Sequence, residues 1–274
     1  MTSFRRPLLL LASLALAVLG ALPAEARCNK NVAGWRPGVH PANFTLAQEK
    51  VVSAMRVTFV GHASFLVETP QAVRAITDYN GYNGYGKRPD IVTMNNAHST
   101  HFTDDIEPGV THVLRGWAEA GRDLMTHDIT LRDIQVWNVP TNVREWGDGS
   151  TRFSGNSIFV FRVGDLCVAH LGHLHHRLTP EHLEDLGRID VLMVPIDGGY
   201  TMGQPYMADV VKQIQPRIVL PMHYWGPSSL DRFLGYLGQG NYELVRPTSR
   251  TLDLVKADLP ESLTVVVIAG YGGD

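Results

Sequence analysis

The chain has 274 residues, of which 44% are hydrophobic and 19% charged, a composition typical of a globular protein with enough apolar material for a substantial core. The formal net charge of −3 gives no electrostatic reason to expect a nucleic-acid partner. Twelve histidines stand against two cysteines, which favours a metal site built from imidazoles over a disulfide framework.

The first 26 residues have the pattern of a secretory signal peptide. Arg5 and Arg6 precede an apolar run over residues 8–22, and Ala24 and Ala26 place small residues where a signal peptidase reads. A membrane anchor is the alternative, but a spanning helix needs roughly 20 apolar residues. We predict cleavage after Ala26 and an exported protein, periplasmic or secreted, with no membrane association afterwards.

Residues 27–53 form a lead-in segment with several Pro and Gly residues, and residues 54–274 form one domain without an internal repeat or linker. Cys28 and Cys167 could pair in an oxidising compartment, or could remain two thiols. The route of export, by the Sec or the twin-arginine pathway, and the oligomeric state stay open at this stage.

Strand patterns dominate the first half of the domain. The runs M-R-V-T-F-V-G, S-F-L-V-E-T and A-V-R-A-I-T-D predict an antiparallel meander, and a buried strand over residues 91–94 leads into N-N-A-H-S-T-H. Two further runs, I-T-L-R-D-I-Q-V-W-N-V and S-I-F-V-F-R-V, predict a second sheet.

Strands and helices alternate in the second half. We predict strands at 166–171, V-L-M-V-P-I, 217–222 and V-V-V-I, with helices from Thr179, over 205–214 and from Ser228. A meander followed by this alternation predicts a mixed α/β (α+β) fold, a four-layer αββα sandwich whose two sheets share a core. Loops at the strand ends then carry the function.

Histidines follow three of these strands. They are His98 and His101 after the first, His170 and His173 around Gly172 at the carboxyl end of the second, and His223 after the third. A single histidine is more often an ordinary polar residue than a ligand. Because three strand ends repeat the pattern, we predict that the five imidazoles meet around a metal ion, and Zn²⁺ is the commonest metal for such ligands.

Several stretches together resemble the metallo-β-lactamase superfamily, and most of all its L-ascorbate-6-phosphate lactonase-like branch of metal-dependent hydrolases. They are V-T-F-V-G-H-A-S-F-L-V-E-T, Asp78, N-x-H-x-T-H, H-L-G-H, D-V-L-M-V-P-I-D-G-G-Y-T-M and I-V-L-P-M-H-Y. The resemblance spans about residues 55–270. It implies the αββα metallo-β-lactamase sandwich and hydrolytic chemistry at a metal site.

The resemblance also implies which residues bind metal. Four family ligand positions are kept, at His98, His101, His170 and His223. Asn96 and Thr100, however, replace a histidine and an aspartate of the family's H-x-H-x-D-H loop, and His173 stands where the family has a bridging aspartate. A carboxylate can bridge two cations, whereas a neutral imidazole offers one lone pair. We therefore expect one metal ion rather than two.

Two triads could hold this ion. We favour His101, His173 and His223, and the alternative is His98, His170 and His173. A metal-activated water could then attack a carbonyl or phosphoryl centre. The general base is open between a histidine that does not bind metal and the downstream carboxylates Asp104 and Asp105.

Four further residues are candidates for the surroundings of the metal. The resemblance implies supporting roles for His62 and Asp78, although both could be simple turn residues. Tyr200 and Tyr224 could line a pocket or pack in the core. His175 and His176 are expected to face solvent, and the alternative is that one of them binds metal.

These observations favour an exported zinc hydrolase that acts on a small-molecule ester, lactone, amide or phosphoester. Because three family positions are altered, the alternative is a degenerate member that binds metal or ligand without turnover. A structural protein without metal is the third class that we consider.

Overall fold

The computed structural model describes residues 53–84, 86, 88–118 and 124–270. The predicted signal peptide and nearly all of the lead-in segment lie outside these residues. Cys167 is buried and disulfide-bonded, whereas Cys28, the other cysteine of the chain, also lies outside the described residues.

The described part of the chain contains fourteen strands, three α-helices and one short 3₁₀ turn. The strands are β1 (Ala54–Gly61), β2 (Ser64–Glu68), β3 (Arg74–Ile76), β4 (Ile91–Met94), β5 (His112–Arg115), β6 (Asp128–Leu131), β7 (Ile134–Arg144), β8 (Thr151–Val163), β9 (Leu166–His170), β10 (Val191–Pro195), β11 (Ile218–Met222), β12 (Glu243–Val245), β13 (Thr251–Val255) and β14 (Thr264–Val266). The helices are α1 (Pro180–Leu186), α2 (Gln204–Ile214) and α3 (Pro227–Leu237), and the 3₁₀ turn is Lys256–Asp258.

The strands form two sheets. Six strands form the first sheet in the order β13-β1-β2-β3-β4-β5, and eight form the second in the order β12-β14-β11-β10-β9-β8-β7-β6. The predicted meander is confirmed, since β1, β2 and β3 pair antiparallel. In contrast, β4 and β5 join the first sheet as parallel strands.

The two sheets enclose a shared apolar core, as the alternating strand patterns predict. On β10, Val191 and Met193 point into this core, whereas Leu192 and Val194 point to the opposite face. There they pack with Met207 of α2 and with α3. Complete burial stabilises each of these side chains by roughly 1.5–3 kcal/mol.

The helices all pack on the second sheet. The first begins at Thr179, whose side chain accepts a hydrogen bond from the backbone N–H of His182 in a capping box, with Pro180 in the first turn. Over the described ranges no helix covers the outer face of the first sheet, where Phe102 and Ile106 of an irregular segment pack instead. The two-sheet α/β sandwich is therefore confirmed, and among the described residues an irregular segment lies on the outer face of its first sheet.

Strand direction gathers the functional loops at one edge. Strands β9, β10 and β11 run parallel as neighbours, so their carboxyl ends open on the same side of the second sheet. The parallel pair β3 and β4 does the same for the first sheet. None of the helices in the described residues is long and apolar enough to span a membrane.

Candidate metal centre

Three histidines from three separate loops converge at this edge. His62 lies in the turn between β1 and β2, His101 in the loop after β4, and His223 directly after β11. Each offers one ligand atom, and these atoms lie within 4.8 Å of one another. The ring of His223 is 4.3 Å from that of His62 and 5.0 Å from that of His101, centroid to centroid.

Left-handed backbone conformations mark the site. His62, Asp78 and His223 have φ angles of 53°, 52° and 53°, a region that residues other than glycine rarely adopt and that costs roughly 1–2 kcal/mol each. Such strain persists only where the surrounding structure over-determines it, and it concentrates at functional sites. Two of the three converging histidines and one supporting carboxylate share this feature.

His101 is oriented by Asp78 from the end of β3. The Nδ1 atom of His101 forms a hydrogen bond with Oδ2 of Asp78, and both side chains are only 1% exposed. Burial disfavours the charged form of His101, but the adjacent carboxylate outweighs it and raises the pKa of the imidazole. Burial likewise opposes ionisation of Asp78, and its interaction with His101 lowers the pKa of the carboxyl overall. The pairing leaves Nε2 of His101 to face the other imidazoles.

Asp197 orients His223 in the same manner. Its Oδ1 lies 3.0 Å from Nδ1 of His223, and it also accepts hydrogen bonds from the Thr201 hydroxyl and from the backbone N–H groups of Gly199, Tyr200 and Thr201. Burial would raise the pKa of Asp197, but these hydrogen bonds lower it far below the usual carboxyl range. A carboxylate behind each of two imidazoles is the arrangement that fixes histidine ligands of metals.

Buried ring nitrogens of three neighbouring histidines have no hydrogen-bond partner among the described residues. They are Nε2 of His62, Nε2 of His101 and, beside the converging set, Nδ1 of His173. Burial, followed by repulsion from neighbouring histidines, lowers the pKa of His62 to about 4 and that of His173 still further, so both rings are neutral at pH 7. A neutral imidazole with a free buried lone pair is a metal ligand in its binding form. The residues present therefore fit a metal ion.

His173 lies beside the three, and its position depends on Gly172. Its ring is 5.0 Å from that of His101 and 5.8 Å from that of His223. The backbone N–H of His173 donates to Oδ1 of Asn156. Gly172 has φ +59°, and a Cβ there would lie 2.4 Å from Cβ of Asn95. Only glycine fits this turn, as its place between the two histidines suggested.

His170 differs from the prediction. Its Nε2 lies 2.7 Å from the carbonyl of Ala63, and its Nδ1 accepts a hydrogen bond from the backbone N–H of Gly172. Both ring nitrogens are thus used within the protein, because the ring points towards the turn that carries His62. His170 ties two loops together and has no lone pair left for a metal, which also disfavours the triad of His98, His170 and His173.

The other candidate residues of the loop after β4 lie at the solvent-exposed entrance to the histidine cluster or beneath this entrance. His98 is exposed, with its ring 5.5 Å from that of His101, and its Nδ1 is 2.9 Å from the hydroxyl of Thr100. Asn96 is buried and donates its amide to the carbonyl of Gly155, so it links β8 to the loop. Neither Asn96 nor Thr100 belongs to the converging set of ligand atoms.

The two carboxylates considered as general bases and the two tyrosines considered as pocket residues lie in different environments. Asp104 is exposed and forms an ion pair with Arg115, and Asp105 is exposed as well. Tyr224 is 6% exposed and packs in the core between the second sheet and the helices, whereas Tyr200 is 50% exposed beside Trp225. This separation of the two tyrosines follows from their positions, because Tyr224 turns inward after β11.

His175 does not face solvent as expected. Its Nδ1 accepts the backbone N–H of Arg144, its Nε2 is buried without a partner, and its ring lies 4.9 Å from that of His173. Burial, then the charge of Arg144, lowers its pKa to about 4. His176 accepts a hydrogen bond from the backbone N–H of Asn142. The hydrogen bonds to His175 and His176 hold the end of β7 next to the histidine cluster.

Sequence reasoning underrated two site residues. His62 was expected in a supporting role, but it contributes one of the three converging ligand atoms. Asp197 was not singled out, although an aspartate followed by two glycines at a strand end is a typical signal for a side chain that caps its own loop.

Comparisons with known proteins identify relatives of this chain. Residues 56–223 match the model of the Beta-lactamase superfamily domain. A UPF0173 protein of Pyrococcus furiosus is 30% identical over 202 residues, which cover 65% of this chain and 87% of that protein. A UPF0173 metal-dependent hydrolase of Pyrococcus horikoshii is 27% identical over 201 residues, covering 65% and 88% respectively.

A solved structure is similar as well. It is that of a metallo-β-lactamase superfamily protein from Thermotoga maritima, whose proposed activity is zinc-dependent hydrolysis. It is 28% identical, with a TM-score of 0.55, and the match covers 78% of this chain and 98% of that one. The two-sheet sandwich with histidines at its open edge and these matches lead to one conclusion: the chain belongs to the metallo-β-lactamase superfamily.

Proposed function

We propose that the protein is a hydrolase that uses one zinc ion held by His62, His101 and His223. The convergence of their ligand atoms within 4.8 Å carries the proposal. Neutral imidazoles suit zinc. Homologues described as metal-dependent hydrolases support the same chemistry.

The charges around the cluster suit a divalent ion. Asp78 and Asp197 are both held ionised behind His101 and His223, and each has a side chain that is 1% exposed. Two buried negative charges are costly unless compensated. A dication bound between the imidazoles balances them, and the neutral ligands add no charge of their own.

A divalent ion at this position supplies Lewis acidity, which lowers the pKa of water and polarises the bond to be cleaved. Side chains of the protein orient the ligands and provide the sites for proton transfer. Asp78 and Asp197 fix the ring orientations of His101 and His223. The neutral ring of His173 has an unpaired Nδ1 that can accept a hydrogen bond from a water molecule. His98 is exposed, and burial of part of its ring, followed by repulsion from His101 and His223, lowers its pKa, so that its neutral ring can accept a proton.

Metal analysis and activity together test this proposal. We expect one zinc ion per purified chain, loss of the ion on dialysis against a chelator, and a lowered melting temperature that returns with Zn²⁺. A ligand at 100 times its Kd stabilises by about 2.7 kcal/mol. Turnover of an ester, lactone, amide or phosphodiester should depend on the restored metal. A chain that binds no divalent metal would overturn the proposal.

A second candidate follows from the altered positions. Thr100 and His173 replace carboxylates that the family resemblance leads one to expect, and no carboxylate of the described residues belongs to the converging ligand set. A protein that binds metal or ligand without turnover fits this loss. Stoichiometric zinc with no turnover across all four substrate classes supports this candidate over the hydrolase.

We also propose that the protein is exported. The proposal depends on the sequence of residues 1–26 alone. N-terminal sequencing of protein from the periplasm or medium should begin at Arg27. Recovery of the uncleaved chain from the cytoplasm contradicts export.

A further inference from the structure

A row of exposed aromatic side chains leads away from the histidine cluster. Trp225 is 60% exposed, Tyr200 50% and Trp146 66%. Large apolar side chains with this exposure are costly to leave in water, and where they adjoin one another they mark binding surfaces. We call these three residues the aromatic wall.

The aromatic wall is continuous with the metal centre. The Trp225 ring lies 5.6 Å from that of His223 and 6.1 Å from that of His62. Tyr200 follows at 5.7 Å from Trp225, and Trp146 at 5.4 Å from Tyr200. A molecule lying along the wall therefore has one end beside the proposed metal ligands.

Three different loops build the wall. Trp225 follows β11, Tyr200 lies between β10 and α2, and Trp146 lies in the hairpin between β7 and β8. The first two loops also carry His223 and Asp197, so the rings are placed by the backbone that positions the metal centre. Convergence of separate loops on one surface is typical of substrate-binding sites.

Acidic groups in these loops are already engaged. Glu145, beside Trp146, pairs with Arg152, and Asp148 accepts a hydrogen bond from the backbone N–H of Ser150. Asp197 is occupied by His223 and by its own loop. Two of these three carboxylates, Glu145 and Asp197, are thus paired within the protein, and the wall itself presents ring faces and edges, which suit a planar aromatic ring.

We propose that the aromatic wall is the subsite for a neutral aryl group of the substrate, with the cleaved bond held at the histidines. The inference rests on the proposed function for the position of the cleaved bond. It adds the substrate class: esters, amides or phosphoesters with an aromatic substituent rather than small aliphatic ones.

Binding to the full chain, both as purified and after removal of metal, tests the wall apart from catalysis. The probe is 2-naphthylmethanol, titrated by calorimetry, with cyclohexylmethanol, methyl β-glucopyranoside and tetramethylammonium as comparison ligands. We expect 2-naphthylmethanol to bind most tightly. The substitutions Trp225→Leu and Trp146→Leu should each weaken it by about three- to tenfold, with an unchanged melting temperature.

Tyr236→Leu is the matched control, since Tyr236 is 44% exposed on α3 and should not alter binding. The proposal is overturned if 2-naphthylmethanol does not bind, if the wall variants bind it as well as the parent chain, or if the glucoside or tetramethylammonium binds more tightly. Zinc content of Trp225→Leu, measured in parallel, reports on the metal centre. If Trp225→Leu loses aryl binding but keeps its full zinc content, the proposed aryl subsite is supported. If the parent chain contains no zinc, this result contradicts only the proposed zinc hydrolase.

Discussion

The backbone N–H of His223 donates a hydrogen bond to the backbone carbonyl of His62 across 3.2 Å. His62 follows β1 of the first sheet, and His223 follows β11 of the second, so this bond joins the two sheets at the open edge. Both residues have left-handed backbones. Their imidazoles are thereby fixed relative to each other before any ligand binds, which reduces the entropy lost on metal binding.

His62→Asn should greatly reduce zinc affinity, because it removes one of the three converging nitrogens. Asparagine is chosen because it tolerates the left-handed backbone better than alanine. We expect a loss beyond the 10- to 100-fold that follows removal of an outer-sphere partner, measured by competition with a chromogenic chelator.

The control for His62→Asn is His112→Asn, since His112 pairs with Ile91 at the start of β4, far from the loop that follows this strand. Unchanged zinc affinity in His62→Asn together with loss in His173→Asn would restore the triad of His101, His173 and His223 favoured from the sequence.

Asp197→Asn should weaken zinc binding by about 10- to 100-fold. The amide oxygen can still accept the hydrogen bond from Nδ1 of His223, but the negative charge that balances the metal is lost. Asp209→Asn removes a surface charge that pairs with Arg177 at 2.6 Å and should leave affinity unchanged. Equal affinities of the two variants would show that the charge of Asp197 does not contribute.

His170→Ala should destabilise the protein without removing metal. It leaves the carbonyl of Ala63 and the N–H of Gly172 without their partner and opens a cavity, for a loss of about 3–5 kcal/mol in the free energy of unfolding. Chemical denaturation measures this loss. Zinc content per folded chain should remain at one.

His98→Ala is the companion variant for His170→Ala. Because His98 is exposed, its removal should change stability by less than about 0.5 kcal/mol and should also leave zinc content intact. Loss of zinc in either variant would argue that the ring in question binds metal after all.

Gly172→Ala should be strongly destabilising. The new Cβ would meet Cβ of Asn95 at 2.4 Å and Oδ1 of Asn156 at 2.6 Å, and the backbone has φ +59°. Strain and overpacking together predict a loss of about 2–4 kcal/mol. Gly235→Ala, in α3 with no atom within 4 Å of the new Cβ, should instead stabilise by up to about 1 kcal/mol. Similar stabilities for the two variants would contradict this account of the turn.

Local pattern was sufficient for most of the fold. The continuous apolar run at Val191–Pro195 and the Thr179 cap lie in contiguous sequence, so the strand and the helix start could be predicted directly. The irregular layer over the first sheet could not, because the contacts of Phe102 and Ile106 with that sheet depend on chain folding between distant segments.

Sequence pattern was sufficient to predict a two-sheet metallo-β-lactamase-type sandwich with histidines at the ends of several strands. Only the tertiary structure decided which imidazoles face each other. His170 is the last residue of β9 and His223 directly follows β11, yet the ring of His170 is hydrogen-bonded to the carbonyl of Ala63, 107 positions away. His62, in contrast, turns inward through a left-handed backbone. Strand order determines where the Cα atom of each histidine lies. The direction of the imidazole ring depends on backbone angles and on hydrogen-bond partners remote in sequence, which no local motif encodes.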